Sequence, residues 1–280
     1  MRTIPLKCGE WEALVVPEQA FNLISLRYQG ERVLHEPEPL ERVLSDPFLF
    51  GIPLLFPPNR LEKDGFNHEG TWYAIPYTTE DGKFRLHGRL KSAPITVTRV
   101  EENRVEGEFF CDTDRYPFPF KLTITYELTG DGLRTRHVVT NTGEEDMPFA
   151  IGFHTSFEAK RYVKVSVGEA WVAEEKTMLP VRRAGLSESQ KKYAEGMDPT
   201  GVPVDGMFTD SGEHRAVVGR FQYKLSENFT NWVLWNMGGG KGLLCLEPQS
   251  APVNGLNMAG EFSVLPPGRS EVFETEITLA

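Results

Sequence analysis

Cysteine is scarce in this chain, and its scarcity excludes several classes of protein. Three cysteines occur in 280 residues: Cys8, Cys111 and Cys245. An odd number of widely separated cysteines cannot form the paired framework of a disulfide-stapled secreted domain, and it offers no closely spaced thiolate pair for a zinc ribbon. A reducing compartment, the cytoplasm, is therefore the expected location.

Long apolar runs are also missing. The first residues, Met1–Gly9, contain no apolar stretch of the length that a signal peptide needs. No run of about 18 apolar residues occurs anywhere in the sequence, which is the length that a membrane-spanning helix requires. We therefore expect neither secretion nor a membrane span.

Positive charge is in short supply. The chain has 30 lysines and arginines against 40 aspartates and glutamates, a formal net charge of −10. Nucleic acids and anionic membrane surfaces bind clusters of cations, so neither is an expected partner. The 40 % of hydrophobic and 25 % of charged residues are typical of a soluble globular protein and exclude a disordered chain, a collagen and a coiled coil.

Hydrophobic alternation with a period of two is the dominant pattern. The segment Lys121–Leu128 alternates, Thr129–Gly132 has turn chemistry, and a second alternating segment ends at Asn141. This pattern predicts a β-hairpin. Further alternating segments are Pro94–Val100, Val163–Val167, Trp232–Trp235, Leu243–Glu247 and Glu271–Ile277.

Helical signals are few. One short helix is predicted after Ser187, where Ser187-Glu188-Ser189-Gln190 forms a capping box, and it should end at Gly196. Twenty prolines and 26 glycines punctuate the alternating segments, as many short strands require. No tandem repeat or linker occurs, so we expect a single domain over residues 1–280, an all-β protein built as a large antiparallel sandwich or barrel.

Several well-known catalytic motifs are absent. The sequence has no Gly-x-Gly-x-x-Gly, no His-Glu-x-x-His and no Gly-x-Ser-x-Gly segment. The glycine-rich segment 238–242 lacks the spacing of a phosphate-binding loop and is interpreted as a hairpin tip. We therefore expect no nucleotide cofactor and no bound metal.

Two of the six histidines are candidates for chemistry. His87 precedes a glycine that would let another group approach the backbone, and His154 stands at the polar end of an apolar strand. His137 alternates with Leu133 and Val139 on one strand face, so it is interpreted as a packing residue. The remaining histidines lie in loop-like polar segments.

Four other residues are also candidates for a functional site. Asn59 and Arg60 follow an apolar, proline-rich run that would deliver hydrogen-bond donors at its end, although a surface turn would look the same. Glu247 shares a strand face with apolar residues, and an unpaired carboxylate is costly to bury; a rim-exposed position is the alternative. Asp205 could be a turn residue, and the choice between Asp205 and Asp210 stays open.

In this order, these segments resemble the aldose 1-epimerase (galactose mutarotase-like) family. The matching segments are Asn59-Arg60, Leu86-His87-Gly88, Gly152-Phe153-His154, Val204-Asp205-Gly206 and Leu246-Glu247-Pro248. The resemblance implies a β-supersandwich and an isomerase that interconverts the α and β anomers of an aldohexose without a cofactor. It further implies roles for single residues: His154 as the acid and Glu247 as the base, with Asn59, Arg60, His87 and Asp205 binding the sugar hydroxyls.

The sequence departs from the family pattern beside the expected substrate, in the segments His154–Phe157 and Pro248–Asn254, so the identity of the sugar stays open. A hexose 6-phosphate is one alternative, in which Arg85 and Arg89 would help Arg60 to hold the phosphate. A glycoside hydrolase or lyase and a non-catalytic carbohydrate-binding protein are the others. The expected partner is a monosaccharide bound by a monomer or homodimer. Possible stacking platforms are Trp72, Phe153, Trp232 and Trp235, although core packing is the favoured role for each of them.

Overall fold

The computed structural model describes residues 1–63, 65–75 and 84–280. Within these ranges there are two α-helices, α1 (Arg42–Ser45) and α2 (Glu188–Glu195), and three short 3₁₀ turns, Leu90–Ser92, Met237–Gly239 and Gly255–Asn257. The strands are β1 (Ile4–Cys8), β2 (Trp11–Val16), β3 (Asn22–Tyr28), β4 (Glu31–Arg32), β5 (Leu54–Leu55), β6 (Arg60–Glu62), β7 (Gly65–His68), β8 (Thr71–Ala74), β9 (Phe84–Leu86), β10 (Thr96–Val100), β11 (Arg104–Cys111), β12 (Phe120–Leu128), β13 (Gly132–Asn141), β14 (Met147–Phe149), β15 (Gly152–Phe153), β16 (Thr155–Glu158), β17 (Val163–Val165), β18 (Val167–Ala173), β19 (Pro180–Ala184), β20 (Asp205–Asp210), β21 (Arg215–Val218), β22 (Phe221–Leu225), β23 (Asn231–Trp235), β24 (Leu243–Gln249), β25 (Ser263–Leu265) and β26 (Ser270–Leu279).

Two large antiparallel sheets dominate the molecule. The first sheet has the strand order β10-β11-β12-β13-β26-β22-β21-β17. The second sheet has the order β19-β18-β20-β23-β24-β15-β5, and β16 also pairs with β24. A separate four-stranded sheet is formed by β1 to β4 near the beginning of the chain. The predicted all-β, largely antiparallel architecture is confirmed.

Local sequence signals account for the individual elements. In β12 alternate side chains from Phe120 to Leu128 are buried, as the period-two pattern predicts, and β12 pairs with β13 with Leu122 opposite Val139. Helix α2 begins at the predicted capping box: Ser187 Oγ accepts the Gln190 amide at 3.4 Å, and Gln190 Oε1 accepts the Ser187 amide at 2.9 Å. The segment 238–242 connects β23 to its antiparallel neighbour β24, which confirms the predicted hairpin tip.

The inner faces of the two large sheets form the main core. His137 of the first sheet lies 4.5 Å from Phe153 of the second, measured between ring centroids, and its side chain is fully buried. Tyr223 of the first sheet contacts the ring of Phe157 at 5.4 Å and exchanges a 2.9 Å hydrogen bond with the Thr155 hydroxyl. The interpretation of His137 as a packing residue is confirmed.

Strand β24 lies at the centre of the second sheet and is buried on both faces. Leu244 and Leu246 point into the core between the sheets. Because side chains alternate along a strand, Cys245, Glu247 and Gln249 must point to the opposite face. Because this second face is also covered, β24 forms the floor of a buried site and is not a surface strand.

Candidate active site

Neighbouring strands of the second sheet bring the candidate residues to one face. Val233 of β23 pairs directly with Glu247 of β24, and Asp205 of β20 pairs with Trp235 of β23. Directly opposed residues point to the same side of a sheet. The Asp205, Trp235 and Glu247 side chains therefore share the face away from the core, across three adjacent strands.

His154 joins this face from the break between β15 and β16. Its neighbours Phe153 and Thr155 both point into the core, so alternation directs the His154 ring outward. The His154 amide donates to the carbonyl of Pro53 at 2.9 Å, which fixes the backbone at this position.

The central feature is a buried histidine–carboxylate pair. His154 Nε2 lies 3.3 Å from Glu247 Oε1, and the two residues are only 5 % and 2 % exposed. Gln249 Nε2 donates to the second carboxylate oxygen, Glu247 Oε2, at 3.2 Å. Among the described residues, His154 Nδ1 and Gln249 Oε1 are buried without a hydrogen-bond partner. The alternative of a rim-exposed Glu247 is wrong, because the strand is covered on both faces.

Burial shifts the two pKa values of this pair in opposite directions. Loss of solvent raises the pKa of Glu247 to about 8, opposed by the hydrogen bond from Gln249 and the charge of Arg60. Loss of solvent lowers the pKa of His154 to about 4. The pair therefore holds one proton across the neutral pH range, as one acid and one base within hydrogen-bonding distance of each other.

His87 is held as a neutral hydrogen-bond donor. The Asn59 amide donates to His87 Nδ1 at 3.3 Å, and the His87 amide donates to the Asn59 carbonyl at 2.7 Å. Burial lowers the pKa of His87 well below its ordinary value, and nearby His154, Arg60 and Lys91 lower it further. Since Nδ1 accepts a hydrogen bond, the ring hydrogen resides on Nε2.

The backbone at these positions is unusual. Asn59 and His87 have φ values of 54° and 59°, in the left-handed region that non-glycine residues rarely adopt. Gly88, which follows, has φ of 66°, and a Cβ there would lie 1.8 Å from the Phe56 carbonyl oxygen. Such conformations cost free energy and persist where surrounding contacts enforce them. The glycine is required here by both the conformation and the close approach.

Arg60 stands among the polar groups of the site. Its Nη1 donates to Asn59 Oδ1 at 3.0 Å, and its carbonyl accepts the Asn254 amide at 2.9 Å. Its charge opposes the raised pKa values of both Glu247 and Asp205. Asp205 is the most exposed of the site residues; partial desolvation raises the pKa of its carboxyl group.

A model of the aldose 1-epimerase family matches residues 21–278. The chain belongs to the aldose 1-epimerase family. The resemblance expected from the motifs is thereby confirmed, and the match covers nearly the whole chain.

Relatives of this aldose 1-epimerase family member have low sequence identity to it. The chromosomal protein LacX of Lactococcus lactis subsp. lactis is 27 % identical over 193 residues, which cover 60 % of this chain and 64 % of LacX. A plasmid-borne LacX of the same organism matches with the same identity and coverage. The chain thus spans less than two thirds of the length of these curated relatives.

Solved structures show the same fold. A galactose mutarotase-like protein from Clostridium acetobutylicum superposes with a TM-score of 0.89 at 23 % identity, covering 99 % of this chain and 94 % of that one. A putative aldose 1-epimerase from Escherichia coli K12 superposes with a TM-score of 0.87 at 17 % identity, covering 100 % and 99 %. At these identities the likeness concerns the fold.

The open choice between Asp205 and Asp210 depends on the two faces of β20. Their odd spacing along the strand places them on opposite sides. Asp210 accepts hydrogen bonds from the Ser166 hydroxyl at 2.5 Å and from Trp232 Nε1 at 2.7 Å, and its side chain is only 2 % exposed. Asp205 is the one that lies near Glu247 and Arg60.

Core packing, the favoured role for each possible stacking platform, is confirmed for two of them. Trp232 and Phe153 are fully buried between the sheets, and Trp72 is exposed on β8. Trp235 lies beside the site, with its ring 6.1 Å from that of His154. The Phe48 ring, which no sequence pattern indicated, lies 4.5 Å from the His87 ring and 6.2 Å from the His154 ring.

Gln249 was not predicted as a site residue, although its position in the sequence indicates it. It follows Glu247 by two residues and therefore shares its strand face. Of the two arginines named in the hexose 6-phosphate alternative, Arg89 donates to the carbonyl of Asp114 at 3.0 Å. The side chain of Arg85 lies outside the described residues.

The described ranges lack two further kinds of feature. No cluster of three or more His, Cys, Asp or Glu side chains there could hold a metal ion. None of the helices in residues 1–63, 65–75 and 84–280 has the length and hydropathy needed to cross a bilayer.

Proposed function

We propose that this protein is an aldose 1-epimerase that interconverts the α and β anomers of an aldohexose. The observation that carries the proposal is the buried pair of His154 and Glu247, 3.3 Å apart, which together hold one proton at neutral pH. Membership of the family supports the isomerase class.

The reaction needs one acid and one base at the same carbon. Glu247 takes the proton from the anomeric hydroxyl, O1, while His154 gives a proton to the ring oxygen, O5. The C1–O5 bond breaks, C1 becomes an aldehyde, and O5 becomes a hydroxyl. Because O1 and O5 are both bonded to C1, two groups 3.3 Å apart can reach both oxygens.

Rotation about C1–C2 then presents the other face of the aldehyde. On ring closure the roles reverse: the imidazole takes the O5 proton as O5 attacks C1, and the carboxyl group returns a proton to O1. Each proton transfer of this kind typically contributes ~10²–10⁴-fold to the rate. Atoms and protons balance, and no electrons are exchanged with another group.

The catalytic state requires the proton on His154, whereas the pKa directions favour its residence on Glu247. The 3.3 Å separation of Nε2 and Oε1 places both groups where they can compete for this one proton. The positive charge of Arg60 favours the ionised carboxylate. Arg60, with Asn59, His87 and Asp205, would bind the remaining hydroxyls and hold the sugar while C1 turns.

Polarimetry tests the proposal. Protein is added to freshly dissolved α-D-glucose or α-D-galactose, and wild type should speed the approach to the equilibrium rotation. Glu247→Gln and His154→Asn should each lower kcat by at least ~10²-fold. Near-wild-type turnover in either variant would refute the role given to that residue.

A matched control is available elsewhere in the chain. His35 Nδ1 and Glu158 Oε2 form a similar pair at 3.2 Å, part-exposed and outside the site. His35→Asn and Glu158→Gln should leave turnover unchanged.

Sugar binding without acceleration would favour a binding protein, and release of reducing ends from oligosaccharides would favour a hydrolase.

A further inference from the structure

Phe48 is an aromatic side chain beside His154 and Glu247. It has no role in the proposed proton transfers. Its ring lies 4.5 Å from the His87 ring and 6.2 Å from the His154 ring, between centroids. Phe48 is only partly buried, whereas both imidazoles are buried. Phe48 therefore places a partly accessible apolar side chain directly next to the polar groups of the site.

The segment that carries Phe48 is held in place on both sides. Phe50 is buried, and its carbonyl accepts the Asn22 side-chain amide at 3.0 Å. The Leu49 amide donates to the Asp46 carbonyl at 3.1 Å. These hydrogen bonds fix the backbone on either side of the Phe48 side chain.

A cation lies over the same ring. Lys91 Nζ is 5.6 Å from the centroid of Phe48, within the range of a cation–π contact. The charge of Lys91 also lowers the pKa of His87, so the ammonium group lies close to the site. Among the described residues, no carboxylate pairs with Lys91.

We propose that Phe48 is a substrate-contacting residue, with the C–H face of the pyranose packed against its ring, and that Lys91 is a positioning residue that holds this ring. The inference rests on the proposed function, because it assumes a sugar at His154 and Glu247. A sugar ring has an apolar face of C–H groups between its hydroxyls, and binding sites combine such apolar walls with a few polar groups. Phe48 supplies the wall, and His87 beside it supplies a donor.

Four variants test this in the mutarotation assay. Phe48→Ala should raise KM about tenfold, the loss expected when a large aromatic contact is removed, with kcat within about twofold of wild type. Phe48→Leu, which keeps apolar bulk without the flat ring, should show an intermediate KM. Lys91→Met should raise KM by less than Phe48→Ala, and adding it to Phe48→Ala should change nothing further.

An outer strand offers a matched control. Phe110 is 60 % exposed on β11, with Lys121 Nζ 5.5 Å from its ring centroid, and so reproduces the same pairing away from the site. Phe110→Ala should leave KM and kcat unchanged. An unchanged KM in Phe48→Ala, or a loss of kcat alone, would overturn the substrate contact. Fully additive effects of the two substitutions would overturn the positioning role of Lys91.

Failure of this inference can be told apart from failure of the proposed function. If wild type does not accelerate mutarotation, galactose affinity is measured by tryptophan fluorescence, since Trp235 lies 6.1 Å from His154. An affinity about tenfold weaker in Phe48→Ala would then still support the contact. An unchanged affinity, or no binding by wild type, would refute it.

Discussion

The shared proton of His154 and Glu247 predicts the pH dependence of turnover. In the proposed epimerase reaction, turnover needs one proton on the pair: with none there is no acid, and with two there is no base. The carboxyl pKa is raised to about 8 and the imidazole pKa is lowered to about 4. The two apparent pKa values belong to the pair as a whole. The pH profile of turnover is therefore the same whichever of the two groups holds the proton.

The size of the effect follows from these two values. Between pH 5 and pH 7 nearly every molecule carries the single proton, so kcat/KM should be flat. At pH 9, one unit above the upper value, about one molecule in eleven retains it, and kcat/KM should fall about tenfold. At pH 3 the second proton should cause a similar loss, provided that the fold survives.

Polarimetry over pH 3 to 9 measures this, with a protein-free blank at each pH because acid and base also catalyse spontaneous mutarotation. Glu247→Gln should lack the alkaline limb in whatever turnover it retains, while His35→Asn should keep it. A kcat/KM that continues to rise through pH 8 would refute the shared-proton reasoning. It would mean that the free carboxylate is the active form and that the acid is another group.

Three further substitutions test separate parts of the structure. Arg60→Ala should mainly raise KM, and a pure kcat effect in steady-state assays would contradict its binding role. Gly88→Ala should destabilise the fold by ~1–3 kcal/mol in urea unfolding and should raise KM, because the new Cβ would strike the Phe56 carbonyl and displace His87. His137, buried without hydrogen-bond partners among the described residues, has its pKa lowered to about 3 by burial. As the pH falls, His137 therefore takes up a proton in the unfolded chain before it does so in the folded protein. The free energy of unfolding decreases as pH drops from about 6.5 towards 3. Between pH 7 and pH 5, the free energy of unfolding of His137→Leu should fall by ~2 kcal/mol less than that of wild type. An equal fall in both proteins would contradict this.

Local pattern was sufficient to predict much of the fold. Alternation identified β12 and β13 and their turn, because one buried face imposes a period of two on any strand. The capping box at Ser187 located α2, because its hydrogen bonds form within a single turn. Such signals depend only on neighbours in the chain, so no tertiary information was needed.

The pattern was less informative where both faces of a strand are covered. In β23, core packing was favoured equally for Trp232 and Trp235, but only Trp232 is buried in the core, and Trp235 lies beside His154. Odd spacing shows that two such residues point to opposite sides, but it does not show which side is the core. The same ambiguity applied to Asp205 and Asp210.

By itself, the sequence determined the class of fold and the residue types available for chemistry, because periodicity and side-chain identity are local properties. Only the tertiary structure decided that His154 and Glu247 meet at 3.3 Å, that burial moves their pKa values towards a single shared proton, and that Phe48 stands beside them. Strand order in the second sheet brings together residues that are far apart in the chain. Desolvation, which depends on everything packed around a group, then sets their charge.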